Sequence, residues 1–142
     1  MRLLAFICFT AGSVLAADDP KDWKRHPSVA EEFTNSKCVF VGEVLSSRQI
    51  LEKDGFIQGT FYIVRIQELL KGRALKNVEI YDENSSGRFP MKAGERYLLF
   101  AYEGPFEGID GPCLAIDRSG NSETLKQAKK TLAIVRKLKN AQ

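Results

Sequence analysis

The sequence contains few of the residues on which most catalytic and metal sites depend. It has one histidine and three cysteines among 142 residues. Structural zinc sites need a cluster of such ligands at close spacing, and the chain has no such cluster. It also lacks a glycine-rich phosphate loop, a GxSxG motif and an HExxH motif. We therefore expect no metal, no cofactor and no enzymatic activity.

The few candidate catalytic residues lie in unfavourable contexts. A cysteine hydrolase would need His26 beside Cys38 or Cys113. His26 lies in a polar lead-in, and both cysteines lie in apolar stretches that disfavour a thiolate. Asp82 and Glu83 are adjacent carboxylates in a stretch with the composition of a loop, so we expect solvated turn residues and not an acid–base pair. No catalytic residue is predicted.

Residues 1–16 have the pattern of a secretory signal peptide. Arg2 precedes an apolar run, and Val14-Leu15-Ala16 places suitable residues for cleavage before Ala17. The alternative is a membrane anchor, but the run is too short to span a bilayer comfortably. We therefore expect a secreted, periplasmic or cell-envelope protein whose mature form has no membrane span.

Cleavage before Ala17 would remove Cys8 and leave two cysteines, Cys38 and Cys113. Two cysteines in an exported chain indicate a disulfide between them. The alternative is a pair of buried free thiols that pack as small hydrophobic groups.

The rest of the chain reads as one domain. Residues 17–28 are predicted to be an extended lead-in, and residues 29–140 a single domain with no internal linker. Ser28 and Glu31 form a capping-box pattern that predicts a helix from Val29 to Asn35. Turn signals then separate five strand patterns. These are Cys38–Leu45, Phe61–Ile66, Val78–Tyr81, Tyr97–Tyr102 and Cys113–Ile116.

The C-terminal segment is predicted to be a long amphipathic helix. Ser119 to Ser122 break the strand pattern and are expected to supply the N-cap. An apolar stripe then follows at helical spacing. Its members are Leu125, Ala128, Leu132, Val135 and Leu138. We expect this stripe to pack on the sheet, over positions such as Phe61 or Ile63, and the lysines to form a solvated face.

Three stretches resemble the TIMP-like OB-fold proteins, the superfamily of tissue inhibitors of metalloproteases and netrin modules. Cys38–Val44 (CVFVGEV) is similar to the family's first strand, Phe61–Gly72 to its second, and Phe89–Ala101 (FPMKAGERYLLFA) to its F-x-x-G-E-R-Y-L-V-F-A motif. The resemblance implies a mainly β fold. In detail it implies a five-stranded OB-like β-barrel with a short N-terminal helix and a long C-terminal helix.

The resemblance also implies a non-enzymatic domain that binds another exported protein, with a zinc metalloprotease as the class of partner. The family's animal inhibitors chelate the protease zinc through a cysteine at the mature N-terminus. Here the expected mature start is Ala17, and the first mature cysteine is Cys38. The alternative is therefore an extracellular or envelope interaction module with no inhibitory activity.

A barrel of this type can bind nucleic acid through aromatic side chains on its sheet. The candidate residues are Phe61, Tyr62, Tyr81 and Tyr102. A small barrel needs such residues for its own core, and the mild net charge of +3 shows no basic block. We therefore expect no nucleic-acid partner. Asn84-Ser85-Ser86 is a glycosylation sequon, which has meaning only if the source is a eukaryote.

Overall fold

The computed structural model describes residues 26–73, 76–118 and 120–142. The predicted signal peptide, its cleavage before Ala17 and the lead-in up to residue 25 lie outside the described residues. Among those that are described, no helix combines the length and apolarity needed to cross a bilayer.

The first helix, α1 (Val29–Asn35), begins where the capping box predicts. The Ser28 hydroxyl accepts the Glu31 N–H at 3.2 Å, and the Glu31 carboxylate accepts the Ser28 N–H at 2.8 Å. These bonds satisfy two backbone donors that an uncapped helix would leave without partners. Phe33 is the buried residue of this helix. The predicted bounds of α1 are confirmed.

The described residues form one six-stranded sheet. Its strands are β1 (Cys38–Leu51), β2 (Ile57–Lys71), β3 (Asn77–Glu83), β4 (Arg96–Gly104), β5 (Cys113–Ala115) and β6 (Glu123–Thr124). Hydrogen bonding orders them β1-β2-β3-β5-β4-β6, and a further pairing of β1 with β4 joins the first five into a ring. Neighbours are antiparallel except β3 and β5, which are parallel. The expected mainly β fold with an early short helix and a C-terminal helix is confirmed.

The first half of β1 is a central strand. Its two edges pair with β2 and β4, and it is buried on both faces from Cys38 to Gly42, because Phe40 and Val39 pack into separate core clusters. The register with β2 shifts between Val41 and Gly42, and a Cβ on Gly42 would lie 2.5 Å from Cγ1 of Val64. Only glycine fits this close approach.

Four strands, β1 to β4, are longer than their patterns suggest. β2 starts four residues before Phe61 and ends at Lys71, because it pairs with β1 along almost its whole length. β3 runs to Glu83, so Asp82 is a buried strand residue that pairs with Thr60. The expectation that Asp82 is a solvated turn residue is wrong, although Glu83 is exposed. Backbone pairing with β2 extends the strand into a polar stretch that reads locally as a loop.

The second helix, α2 (Lys129–Asn140), begins later than expected. The predicted N-cap is wrong, because the Ser122 hydroxyl instead accepts the Phe100 N–H at 2.9 Å. That bond joins Ser122 to β4, and the next two residues then form β6 on the same strand. The N-cap position is Ala128, which has no capping side chain.

The buried side chains of the described residues form three core clusters. The helix-facing cluster lies between the sheet and both helices and contains Phe33, Val39, Val41, Leu70, Leu98, Phe100, Ala128, Leu132 and Val135. The inner cluster uses the alternate residues of the same strands and contains Cys38, Phe40, Val44, Tyr62, Val64, Ile80, Met91, Tyr97, Leu99, Ala101 and Ile116. The loop-covered cluster contains Phe61, Tyr81 and Ala115.

The apolar stripe of the C-terminal segment packs on the sheet, as predicted. The positions that it covers differ from the expected ones. α2 lies over side chains of β1 and β4, including Val39 and Phe100. Phe61 is covered instead by Phe106 and Ile109 of the loop between β4 and β5.

Candidate protein-binding surface

The structure keeps the two predicted site residues, Cys38 and Cys113, apart as free thiols. Cys38 pairs with Ala101 and Cys113 pairs with Gly104, three residues further along β4. Three strand residues span about 10 Å. A disulfide needs Cα atoms within about 7 Å of each other, so this geometry contains no Cys38–Cys113 bridge.

Both thiols are in environments that suppress their reactivity. Burial raises the pKa of the Cys38 thiol to about 11. Burial also raises the pKa of Cys113, which packs against the loop-covered cluster. A raised pKa leaves little thiolate at neutral pH, and the thiolate is the nucleophile. The geometry matches the alternative of two thiols that pack as small hydrophobic groups.

The most exposed apolar side chains of the described residues lie at the tip of the β1–β2 hairpin. Phe56 is 71% exposed and Leu51 is 59% exposed, and Ile57 is exposed beside them. The tip projects because β3 pairs with β2 only as far as Gly59. We call Leu51, Phe56 and Ile57 the hairpin tip. Exposed apolar groups concentrated at one place are typical of an interaction site.

Sequence reasoning did not identify the hairpin tip. The two apolar residues that follow the polar turn at Glu52–Gly55 received no role. Large apolar residues on either side of a polar four-residue turn are the signal that could have found it. Such residues have little sheet around them to cover their side chains.

An open groove of about 810 Å³ adjoins the hairpin tip. Its lining includes Leu51 and Ile57 of the hairpin tip, together with Glu107 and Gly108. Four carboxylates and one lysine lie along it, which gives the groove a formal charge of −3. These charged residues are Glu52, Lys53, Asp54, Glu83 and Glu107. An apolar patch with an acidic rim fits a partner with an apolar pocket and basic residues around it.

Hydrogen bonds join the residues that line the groove to each other. The Gln58 side-chain amide donates to the Glu107 carbonyl. The Asn84 side-chain amide donates to the Ile57 carbonyl at 2.8 Å, and the Asn84 N–H donates to the Gln58 carbonyl at 2.9 Å. Gly108 has φ +74°, a conformation that favours glycine, and a Cβ there would lie 2.6 Å from the Gln58 amide. The groove is therefore largely preformed.

The aromatic side chains that were candidates for nucleic-acid stacking have other contacts. Phe61, Tyr62 and Tyr81 are buried. The Phe61 and Phe106 rings each lie 5.0 Å from the Tyr81 ring. Tyr102 is the exposed member, and its ring lies 6.2 Å from that of Phe106. Three of the four rings therefore form core contacts and offer no open face for a base.

Asp82 is a buried carboxylate on β3. It accepts the Phe89 N–H at 2.7 Å. Burial raises the pKa of Asp82 to about 6, against the opposing effects of that hydrogen bond and the nearby Arg88. The carboxyl group is therefore more easily protonated in the folded than in the unfolded chain.

Asp82→Asn should stabilise the protein at pH 8. Because folding raises the pKa of Asp82, its stabilising contribution is complete below about pH 4 and is lost as pH rises through about 6. Asparagine still accepts the Phe89 N–H and carries no charge. In urea unfolding, we expect the free energy of unfolding to rise by about 1 to 2 kcal/mol at pH 8 and to stay the same at pH 4. Glu83→Gln, at an exposed neighbouring position, should leave the free energy of unfolding unchanged at both pH values. Equal effects of Asp82→Asn at both pH values would contradict the burial of a charged carboxylate.

Within residues 26–73, 76–118 and 120–142, no group of three or more His, Cys, Asp or Glu residues could hold a metal ion. No protein-family model matches the sequence. A search of curated proteins also gave no match.

Proposed function

We propose that this protein is an exported, non-enzymatic domain that binds another protein through its hairpin tip. The observation that carries the proposal is the exposure of Phe56 together with Leu51 and Ile57 at the end of the longest hairpin. Transferring a large apolar side chain from water to a buried site contributes about 1.5 to 3 kcal/mol. Rigid aromatic side chains of this kind often dominate the binding energy of an interface.

We further propose that the strand ring is an OB-like barrel of the TIMP and netrin-module type. Support comes from the order of the five ring strands, from the parallel pairing of β3 with β5, and from the positions of the two helices. The sequence stretches that resemble the family fall on β1, on β2 and on the entry to β4. In such barrels the loop between the first two strands is available for recognition.

The family resemblance makes a zinc metalloprotease the first partner to test. Zinc chelation by Cys38 is unfavourable, because the thiol is only 1% exposed and lies inside β1. An inhibitory contact would therefore have to be made by the hairpin tip and the acidic groove. The same burial of Cys38 favours the second candidate, an extracellular or envelope interaction module without inhibitory activity.

The test is an inhibition and binding assay of the exported protein against a panel of zinc proteases. Submicromolar inhibition that Phe56→Ser weakens at least about tenfold would support a protease inhibitor that acts through the hairpin tip. Ile134→Ser, an exposed apolar residue on α2, is the matched control and should have no effect. Binding without inhibition would support the interaction module. Inhibition or binding that is indifferent to Phe56→Ser would refute the role of the hairpin tip.

A further inference from the structure

Part of one edge of β1 has no partner strand among the described residues. β1 pairs with β4 only from Cys38 to Glu43. Val44 makes the last bonds on that side, donating to the Glu95 carbonyl at 3.0 Å and accepting the Gly94 N–H at 2.8 Å. From Ser46 to Leu51 the strand pairs with β2 alone. We call residues 46–51 of β1 the open edge.

The direction of the peptide groups along the open edge follows from the hairpin. The Glu52 N–H donates across the turn to the Phe56 carbonyl at 2.8 Å, so the backbone of Glu52 faces β2. Peptide groups in a strand alternate in direction. Ser47, Gln49 and Leu51 therefore turn their N–H and C=O groups away from β2. These three donors and three acceptors are available to another strand.

The open edge contains no lysine, proline or inward-pointing charge, and the register shifts against β2 lie only at its two ends, between Val44 and Ser46 and between Ile50 and Leu51. Natural proteins place lysine, proline or inward-pointing charges at such positions. Arg48 is the charged residue of this segment, and its guanidinium lies 4.6 Å from the centre of the Phe61 ring and 3.6 Å from the Glu79 carboxylate. It therefore lies over the sheet face. The remaining side chains of the open edge are neutral.

Two exposed leucines lie at opposite ends of this segment. Leu45 directly precedes the open edge and is 39% exposed, and Leu51 is its last residue. An antiparallel pairing of two identical edges would bring the Leu51 end of each copy to the Leu45 end of the other. The edge is thus complementary to itself in its hydrogen bonds.

We propose that two copies of this chain pair antiparallel through their open edges, about a two-fold axis at Gln49. In this register Ser47 lies opposite the partner's Leu51, and Arg48 lies opposite the partner's Ile50. No like charges face each other, whereas a register centred on Arg48 would place two guanidinium groups together. The symmetric contact is closed, so it produces a dimer and not a filament. The inference goes beyond the proposed function and does not depend on it.

The contact is short, so the dimer should be weak. Interfaces at the small end of the range are typical of transient complexes. We expect a dissociation constant on the order of 10 μM to 1 mM, measured by sedimentation velocity over that range of concentration. On dimerisation, the amides of Ser47, Gln49 and Leu51 should exchange with solvent more slowly. The amides of Ser46 and Arg48, which face β2, should change little.

A charge swap at the two-fold axis tests the register. Gln49 lies opposite the partner's Gln49, so Gln49→Glu or Gln49→Lys would each place like charges opposite each other. Each variant alone should dimerise about threefold to tenfold more weakly than the wild type, because like charges directly across a strand pair repel. An equimolar mixture of the two variants should recover the dimer. Ser86→Glu and Ser86→Lys, exposed and distant in the chain, are the matched controls and should dimerise normally.

A monomer at about 1 mM would overturn the proposal, as would a dimer that tolerates both Gln49 variants. Recovery in the mixture is the outcome that a mere folding defect would not produce. Phe56→Ser should leave the dimer intact. Failure of this proposal is therefore distinguishable from failure of the hairpin tip as a binding site.

Discussion

Leu132→Ala should lower the free energy of unfolding by about 2 to 5 kcal/mol. Leu132 lies on the buried face of α2, in the helix-facing cluster with Val39, Val41 and Phe100. Removing most of its side chain loses apolar burial and leaves a cavity between the helix and the sheet. Urea unfolding followed by circular dichroism measures the change, and the slope of the transition should stay the same because the fold is retained.

Lys129→Ala is the matched control on the exposed face of the same helix. It should change the free energy of unfolding by about 0.5 kcal/mol or less, because exposed lysines contribute little to stability. The alternative for a helix with a cationic face is membrane-surface binding. Unchanged stability of Leu132→Ala, together with binding of the protein to anionic vesicles, would support that alternative and contradict the packing of α2 on the sheet.

Elements specified by short-range patterns could be predicted from the sequence. The bounds of α1 follow from the reciprocal bonds of Ser28 and Glu31, which lie three residues apart. Gly42 interrupts an apolar run, and the register shift lies directly before it. The stripe that includes Leu132 correctly indicated the packed face of α2. In each case the sequence signal lies within a short stretch of the chain, although the contacts that it indicates can be distant.

Elements that depend on distant partners were missed or misplaced. Ser122 was expected to cap a helix, but a backbone N–H from β4, 22 residues earlier in the chain, binds its hydroxyl. Asp82 was expected in a solvated turn, but pairing with Thr60 draws it into β3. The sequence around such residues contains no information about which strand will lie beside them. At these positions, long-range strand pairing therefore overrides the local secondary-structure propensity.

The candidate surfaces were harder to predict than the fold. The resemblance pointed to a protein partner, but it did not identify the hairpin tip or the open edge. Both arise because β1 and β2 extend beyond their pairings with β4 and β3. A surface of this kind depends on where neighbouring strands end. Local composition reports only that Phe56 follows a turn.

Lys71→Met should lower the free energy of unfolding by about 2 to 3 kcal/mol. The Lys71 ammonium donates to the carbonyls of Phe33, Thr34 and Ser36 at 2.6, 2.6 and 2.8 Å. These carbonyls lie at the C-terminal end of α1, where the helix dipole also favours a cation. Methionine keeps most of the apolar stem but removes all three charge-assisted donors. Part of the loss should be recovered by water, because the Thr34 bond is exposed.

Lys37→Met is the matched control, since it makes the same change two residues after α1. Lys37 forms an exposed ion pair with Glu103 at 3.2 Å, with a side chain that is 62% exposed. Such pairs contribute about 0 to 1 kcal/mol, so this variant should be close to wild type in thermal and urea unfolding. Amide exchange in α1 gives an independent measure of how firmly the end of this helix is held. Lys71→Met should speed exchange at the Ser36 N–H, which donates to Glu32, because the end of the helix loses its anchor to β2. Equal stability of the two variants would mean that the three Lys71 hydrogen bonds contribute nothing measurable to holding α1.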